Sequence, residues 1–223
     1  MRDTNIMFST FIEIKVHTNI RISHNSRVLS FMNNFSFRAG QVIGITVSPT
    51  IPPRLYSIAS GEQEEKIEIL YKIVSEGILT PRLDKAKPGD SLYITPPFGN
   101  FISSDSSSFF VATGTGIAPY LSMIRSGFSK CKKLLHGSRI YDDFYYDGFL
   151  QNKLGEKYVQ CYTGPDNYPV YRGRVTNFLN EYDQFDSSDK YYLCGSAEMI
   201  VEAREVLIRR GIPFQNIKSE IYF

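Results

Sequence analysis

Two rhythms divide the chain. Between residues 11 and 101 apolar and polar positions alternate in short runs: FIEIKVH (11–17), RVLSFMN (27–33), AGQVIGITVS (39–48), RLYSIAS (54–60), KIEILYKIV (66–74) and DSLYITPPFGNF (90–101). A period of two belongs to strands with one buried face, and Ala39-Gly40 and Lys87-Pro88-Gly89-Asp90 supply turns between them. Strands at this spacing predict a small antiparallel barrel. GILTPRLDKA (77–86) breaks the rhythm as a predicted helix, with Thr80 as N-cap and Pro81 at the first helical position.

SSDSSS (103–108) is polar and is the natural boundary, placing one domain at 1–103 and a second at 104–223. Beyond it the period changes. SFFVATGTGIAP (108–119) reads as a buried strand ending in glycines, and KKLLHGSR (132–139), KYVQCYTG (157–164) and KYYLCGS (190–196) read as further strands. Longer segments of mixed polarity lie between them. EMIVEAREVLIRRG (198–211) is an amphipathic helix with Arg209 and Arg210 in its last turn and a Gly211 stop. Alternating strand and helix predict a parallel sheet covered by helices.

At 223 residues with 42% hydrophobic and 22% charged positions, composition is that of a globular protein, and no apolar run is long enough to span a membrane. The opening residues carry no secretory pattern, so a cytoplasmic protein is expected. A formal charge of +2 gives no reason to invoke nucleic acid or a membrane surface. The three cysteines, Cys131, Cys161 and Cys194, form no C-x-x-C pair, so neither a zinc site nor an iron–sulfur cluster is written here and no metal is expected. Any redox role then needs a non-covalent organic cofactor.

Two motifs carry chemistry. RLYSIAS sets a guanidinium, an aromatic ring and a hydroxyl within four residues of one strand. On its own it reads either as an edge strand with a surface ion pair or as a platform for a flat, anionic ligand. GTGIAP (114–119) follows a strand and opens a helix. Glycines there let backbone N–H groups approach a pyrophosphate, although short glycine turns are often no more than turns.

Taken in order, RLYS, GILT, PPFGNF, GTGIAP, LCGSAEM and the closing SEIYF resemble the ferredoxin–NADP reductase family, above all its short bacterial members, over essentially the whole chain. The resemblance implies a two-domain β + α/β flavoprotein, an N-terminal antiparallel flavin-binding β-barrel followed by a parallel-sheet nucleotide-binding α/β domain. It implies bound FAD, ahead of FMN, and NADP, with NAD as the open alternative. Arg54 would hold the flavin phosphate, Tyr56 would stack on the isoalloxazine with Leu55 beside it, and Ser57 would lie near flavin N5. Gly77, Ile78, Leu79 and Thr80 match the segment under the flavin pyrophosphate. Gly114, Thr115 and Gly116 match the turn under the nicotinamide nucleotide. Cys194 matches the strand-end segment that faces the nicotinamide, Glu220 matches the family's catalytic carboxylate, and Tyr222, or Phe223 after it, matches the aromatic that covers the flavin.

Arg139 and Arg174 are the candidates for a 2′-phosphate. Family members specific for NADPH place a Ser-Arg pair where this chain has Thr163-Gly164, with Arg172 and Tyr171 as substitutes. The resemblance also implies a separate electron carrier, ferredoxin or flavodoxin, and a monomeric enzyme. Such carriers are acidic, and Lys72, Arg82, Lys85 and Lys87 form a basic group around the flavin motifs. Two other readings stay open: an NADH-dependent oxygenase reductase or free-flavin reductase, and a non-catalytic reductase-like subunit.

Overall fold

The computed structural model describes residues 11–103 and 107–222, so Phe223 and residues 104–106 of the SSDSSS boundary lie outside the described residues. Contacts divide the chain into two compact units. One runs to Ile102 and includes Ala118–Gly127; the other holds Ser103–Ile117 and the chain from Phe128.

The first unit is the predicted antiparallel barrel. Strands β1 (Ile12–Arg21), β2 (Ser26–Met32), β3 (Val42–Thr46), β4 (Arg54–Ser57), β5 (Lys66–Lys72) and β6 (Ser91–Ile94) form one sheet in the order β4-β3-β6-β1-β2-β5. A bridge between Ile58 and Ile69 joins the end of β4 to β5, and the Ala59 N–H donates to the Glu68 carbonyl at 2.8 Å. Those bonds nearly close the sheet and draw together the two edges an open sheet would leave. Alternation points Ile14 and Val16 of β1, Leu29 and Phe31 of β2, and Ile67 and Ile69 of β5 into one buried core.

Helix α1 is shorter than predicted, Thr80–Asp84, and Thr80 does not cap it. Leu79 occupies the N-cap position, while the Thr80 hydroxyl accepts from Val74 N–H (2.9 Å) and donates to Val74 O (3.2 Å). The hydroxyl staples the 74–80 loop because the Val74 backbone offers it both a donor and an acceptor. Helix α2 (Ala118–Arg125) packs with this unit. Ser122 Oγ donates to Ser60 O at 2.7 Å, and Arg125 forms ion pairs with Glu64 and with Glu68 (2.6 Å).

The second unit is a six-stranded parallel sheet in the order β10-β9-β8-β7-β11-β12. Its strands are β7 (Ser108–Thr113), β8 (Cys131–Ser138), β9 (Tyr158–Tyr162), β10 (Tyr171–Arg172), β11 (Lys190–Ser196) and β12 (Ile217–Tyr222). Helices α3 (Asp147–Leu154), α4 (Val175–Glu181) and α5 (Ala197–Arg209) lie in the same unit. Phe109, Val111, Leu135, Leu193, Ile200 and Leu207 belong to its core. The strand order reverses beside β7: β8 and β9 run away on one side, β11 and β12 on the other. In open α/β sheets ligands bind at the carboxyl ends of the strands flanking such a reversal, here residues 113–114 and 194–196.

Candidate functional site

In the barrel unit, β4 pairs with β3 so that Tyr56 opposes Ile43 and Ser57 opposes Val42. Arg54 and Leu55 are exposed, Tyr56 is half-buried against the core, and Ser57 is buried. The strand therefore sinks into the barrel from its first residue to its last. Tyr71 of β5 meets Tyr56 edge-on, with ring centroids 6.3 Å apart, and orients its ring. Burial pushes the Tyr56 phenol well above its ordinary range, with Tyr71 adding to the shift and Arg54 opposing it, so the ring stays neutral. Among the described residues Arg54 makes no ion pair.

Two apolar side chains of the motifs face solvent, Leu55 at 50% and Ile78 at 67% exposure. Gly77 donates to Val74 O at 2.9 Å and Leu79 is buried, so the GILT segment is a fixed loop whose outer surface is Ile78. A surface cation without a partner, a neutral ring and exposed aliphatic groups suit a ligand that is flat and apolar at one end and anionic at the other. These residues fit a flavin nucleotide.

In the second unit the glycine turn and the end of β11 come together. Gly114–Ile117 winds one 3-10 turn directly after β7. Gly114 has φ +53°, a conformation that side chains with a Cβ resist, and the space where a Cβ would stand is open. Gly116 packs so closely that a Cβ would collide with the Cys194 carbonyl. The Ser196 N–H donates to Thr113 Oγ1 at 3.3 Å, tying the ends of β7 and β11 across the reversal. Open space above one glycine and tight packing under another fit a pyrophosphate laid over the turn.

Strand β12 brings the remaining catalytic candidates to the same end. Parallel pairing sets Cys194 opposite Glu220 and Ser196 opposite Tyr222. Cys194 is fully buried; burial holds its thiol well above its ordinary pKa, Glu220 pushes the same way, and a hydrogen bond from Tyr222 works against both. The sulfur is a protonated, polarizable contact and not a thiolate nucleophile. Sequence reading brought these three residues to one site only through family resemblance; the register of β11 and β12 supplies the physical link.

The 2′-phosphate candidates separate. Arg139 is exposed. Arg174 donates to Glu198 (3.1 Å) and lies 3.5 Å from Glu202, so two carboxylates already face it. Arg172 donates to Asp166 O (2.7 Å) and Gly164 O (2.8 Å) and lies 5.2 Å over the Tyr162 ring. Gly164 is packed where a Cβ would strike Tyr162 and the Arg139 carbonyl, so this loop has no room for an arginine at that position. Thr113 and His136 went unremarked in the sequence, where a lone threonine and a lone histidine carry no pattern.

Comparison with known proteins agrees with both units. The oxidoreductase FAD-binding domain model matches residues 13–102, and the oxidoreductase NAD-binding domain model matches residues 110–205. The chain is 30% identical over 206 residues to the ferredoxin–NADP reductase of Azotobacter vinelandii, covering 79% of this chain and 80% of that protein. It is 24% identical over 200 residues to the toluate 1,2-dioxygenase electron transfer component of Pseudomonas putida, covering 85% of this chain and 60% of that protein. A solved ferredoxin NADP+ reductase from Neisseria gonorrhoeae with bound FAD and NADP matches with a TM-score of 0.87 at 19% identity, over 96% of this chain and all of that one. The two halves thus define an oxidoreductase built from a flavin-binding and a nicotinamide-nucleotide-binding domain. Within that class, the chain belongs to the ferredoxin–NADP reductase family.

Proposed function

We propose that this protein is an FAD-dependent reductase that transfers hydride between NADPH and its flavin and exchanges single electrons with ferredoxin or flavodoxin. The observation that carries the reading is the convergence of the 114–116 turn, Cys194, Glu220 and Tyr222 at the sheet reversal, in a chain whose barrel carries Arg54, Tyr56 and the GILT loop. Arg54 supplies the cation for the flavin phosphate, Tyr56 the stacking ring, and Gly77 to Thr80 the loop under the pyrophosphate. Gly114 to Gly116 receive the nicotinamide nucleotide, and buried Cys194 sets the floor on which its ring rests. Bound FAD supplies the conversion between two-electron and one-electron chemistry. The protein's part is position and exclusion of water, with Glu220 as the carboxylate at the site and Tyr222 as the aromatic that covers it.

An acidic carrier protein is supported by Lys72, Arg82, Lys85 and Lys87, all exposed at the end of β5 and along α1 and the turn after it. Three free, buried cysteines support a reducing, cytoplasmic setting. A second reading, an NADH-dependent reductase serving an oxygenase, is favoured by one observation: Arg174 is engaged by Glu198 and Glu202 and Gly164 excludes a second arginine, which leaves Arg139 as the free guanidinium among the sequence's 2′-phosphate candidates. Anaerobic titration of the purified yellow protein decides between them. Bleaching of the flavin bands by NADPH at lower concentration than NADH supports the first reading, the reverse order supports the second, and a colourless protein overturns both.

A further inference from the structure

His136 lies in the middle of β8, fully buried, one strand away from the nucleotide turn. Its Nε2 is 3.2 Å from the Gly114 carbonyl oxygen and its Nδ1 is 3.1 Å from the Tyr158 hydroxyl. A carbonyl only accepts, so the Nε2 proton must be present and donated to Gly114. Burial, the leading cause, pushes the imidazole down to about 4, opposed by the Gly114 bond and by Asp143, so at neutral pH the ring carries one proton. That proton is on Nε2. Nδ1 is then the acceptor, and the Tyr158 hydroxyl, which burial and Asp147 keep protonated, donates to it. Phe144 meets the ring edge-on at 5.2 Å and Tyr145 lies 6.3 Å from it, so the imidazole is clamped as well as bonded.

The Gly114 carbonyl belongs to the same peptide group as the Thr115 N–H. A trans peptide is planar, and its C=O and N–H point in opposite directions; the described chain has no cis bond. Holding this carbonyl down onto His136 therefore points the Thr115 N–H away from the imidazole, and the same turn leaves open the space where a Gly114 Cβ would stand. We propose that His136 is a positioning residue that pins the Gly114–Thr115 peptide so that the Thr115 N–H faces the nucleotide pyrophosphate, with Tyr158 fixing the imidazole tautomer. The inference rests on the nucleotide-binding reading above and adds a residue that never touches the ligand. A histidine there gives the Gly114 carbonyl a second, rigid donor beside the bonding of the 3-10 turn, and a leucine of similar size would remove that side-chain hold on the peptide.

The test is calorimetric titration of NADP+ and NAD+ into the flavin-loaded enzyme and its variants, paired with thermal melting. His136→Leu is expected to bind nucleotide about tenfold more weakly, with the kinetic loss falling on KM for the nucleotide. His136→Gln, whose amide reaches the Nε2 position, is expected to bind within about threefold of wild type, whereas His136→Asn, whose amide reaches only the Nδ1 position, is expected to bind as weakly as the leucine variant. Tyr158→Phe is expected to fall between them. Leucine and wild-type proteins with equal affinity, or a melting temperature that drops while affinity holds, would overturn the proposal. If the leucine variant does not fold, the glutamine and asparagine pair decides, and equal affinity of those two overturns it. A wild-type enzyme that takes neither nucleotide overturns the reading beneath the inference, and the inference with it.

Discussion

At the scale of single residues, the expected effects follow from what each side chain lacks or holds. Arg54 is exposed and free of ion pairs among the described residues, so its replacement disturbs no internal network. Arg54→Ala is expected to weaken flavin binding about ten- to a hundredfold, the equivalent of about 1.5–3 kcal/mol for a charge-assisted contact, while the melting temperature of the apoprotein stays put. Flavin retention on dilution, followed by fluorescence, measures it; unchanged affinity removes Arg54 from the site. His136 carries a pH signature. Its pKa is about 4 in the folded chain against an ordinary value of 6.5, with Asp143 and the Tyr158 hydroxyl facing it. Between those values the unfolded chain holds the extra proton, so stability is intact above about pH 6.5 and falls as pH drops toward 4. The loss approaches about 3 kcal/mol at the acid end. Urea melts at pH 7 and pH 4.5 are expected to differ less for His136→Gln than for wild type.

Among the elements, α2 shows how strongly a helix is held by a few polar contacts. Arg125 closes it with pairs to Glu64 and Glu68 and a 3.3 Å bond to Ala59 O, its side chain 16% exposed. Burial alone would lower the guanidinium pKa, and the two glutamates more than reverse it. Arg125→Met is expected to destabilise the barrel unit by about 2–3 kcal/mol, less than a fully buried pair because Glu64 is partly solvated; chemical denaturation measures the loss. Alternation in β1, β2 and β5 and the unbroken apolar runs of β7 and β11 made these strands legible, because each has a buried face or two. Other elements left no such trace. β10 is two residues, Tyr171–Arg172, and β12 has no fully buried residue, its exposed positions Lys218 and Ile221 lying three apart, so neither has a period of two to read. The Thr80 cap failed because a loop backbone competed for the same hydroxyl, and the grouping of α2 with the barrel depends on side-chain partners sixty residues back in the chain.

For the whole molecule, the question is which nucleotide it serves and how the site is covered. The resemblance names Arg139 and Arg174 together, yet the structure gives Arg174 two carboxylate neighbours and Arg139 none among the described residues. Arg139→Ala alone is therefore expected to raise KM for NADPH about tenfold and leave KM for NADH nearly fixed, whereas Arg174→Ala changes both little, because its charge is already compensated by Glu198 and Glu202. Equal effects of Arg139→Ala on the two nucleotides would place its guanidinium elsewhere than at a 2′-phosphate. The proposed cover is Tyr222. It stands opposite Ser196 and hydrogen-bonds with Cys194, at the same strand ends as the glycine turn. On the proposed reading a nicotinamide approaching Cys194 would displace that contact, at a cost of about 0.5–1.5 kcal/mol for a well-packed ring. Tyr222→Ser is then expected to tighten NADP+ binding up to about tenfold and to slow turnover, since a nucleotide that no longer competes with the ring leaves more slowly. Glu220→Gln is expected to behave differently, slowing the chemical step with affinity held. Calorimetry of both variants beside steady-state kinetics separates them: a serine variant with wild-type affinity and turnover would mean that Tyr222 only packs the end of β12.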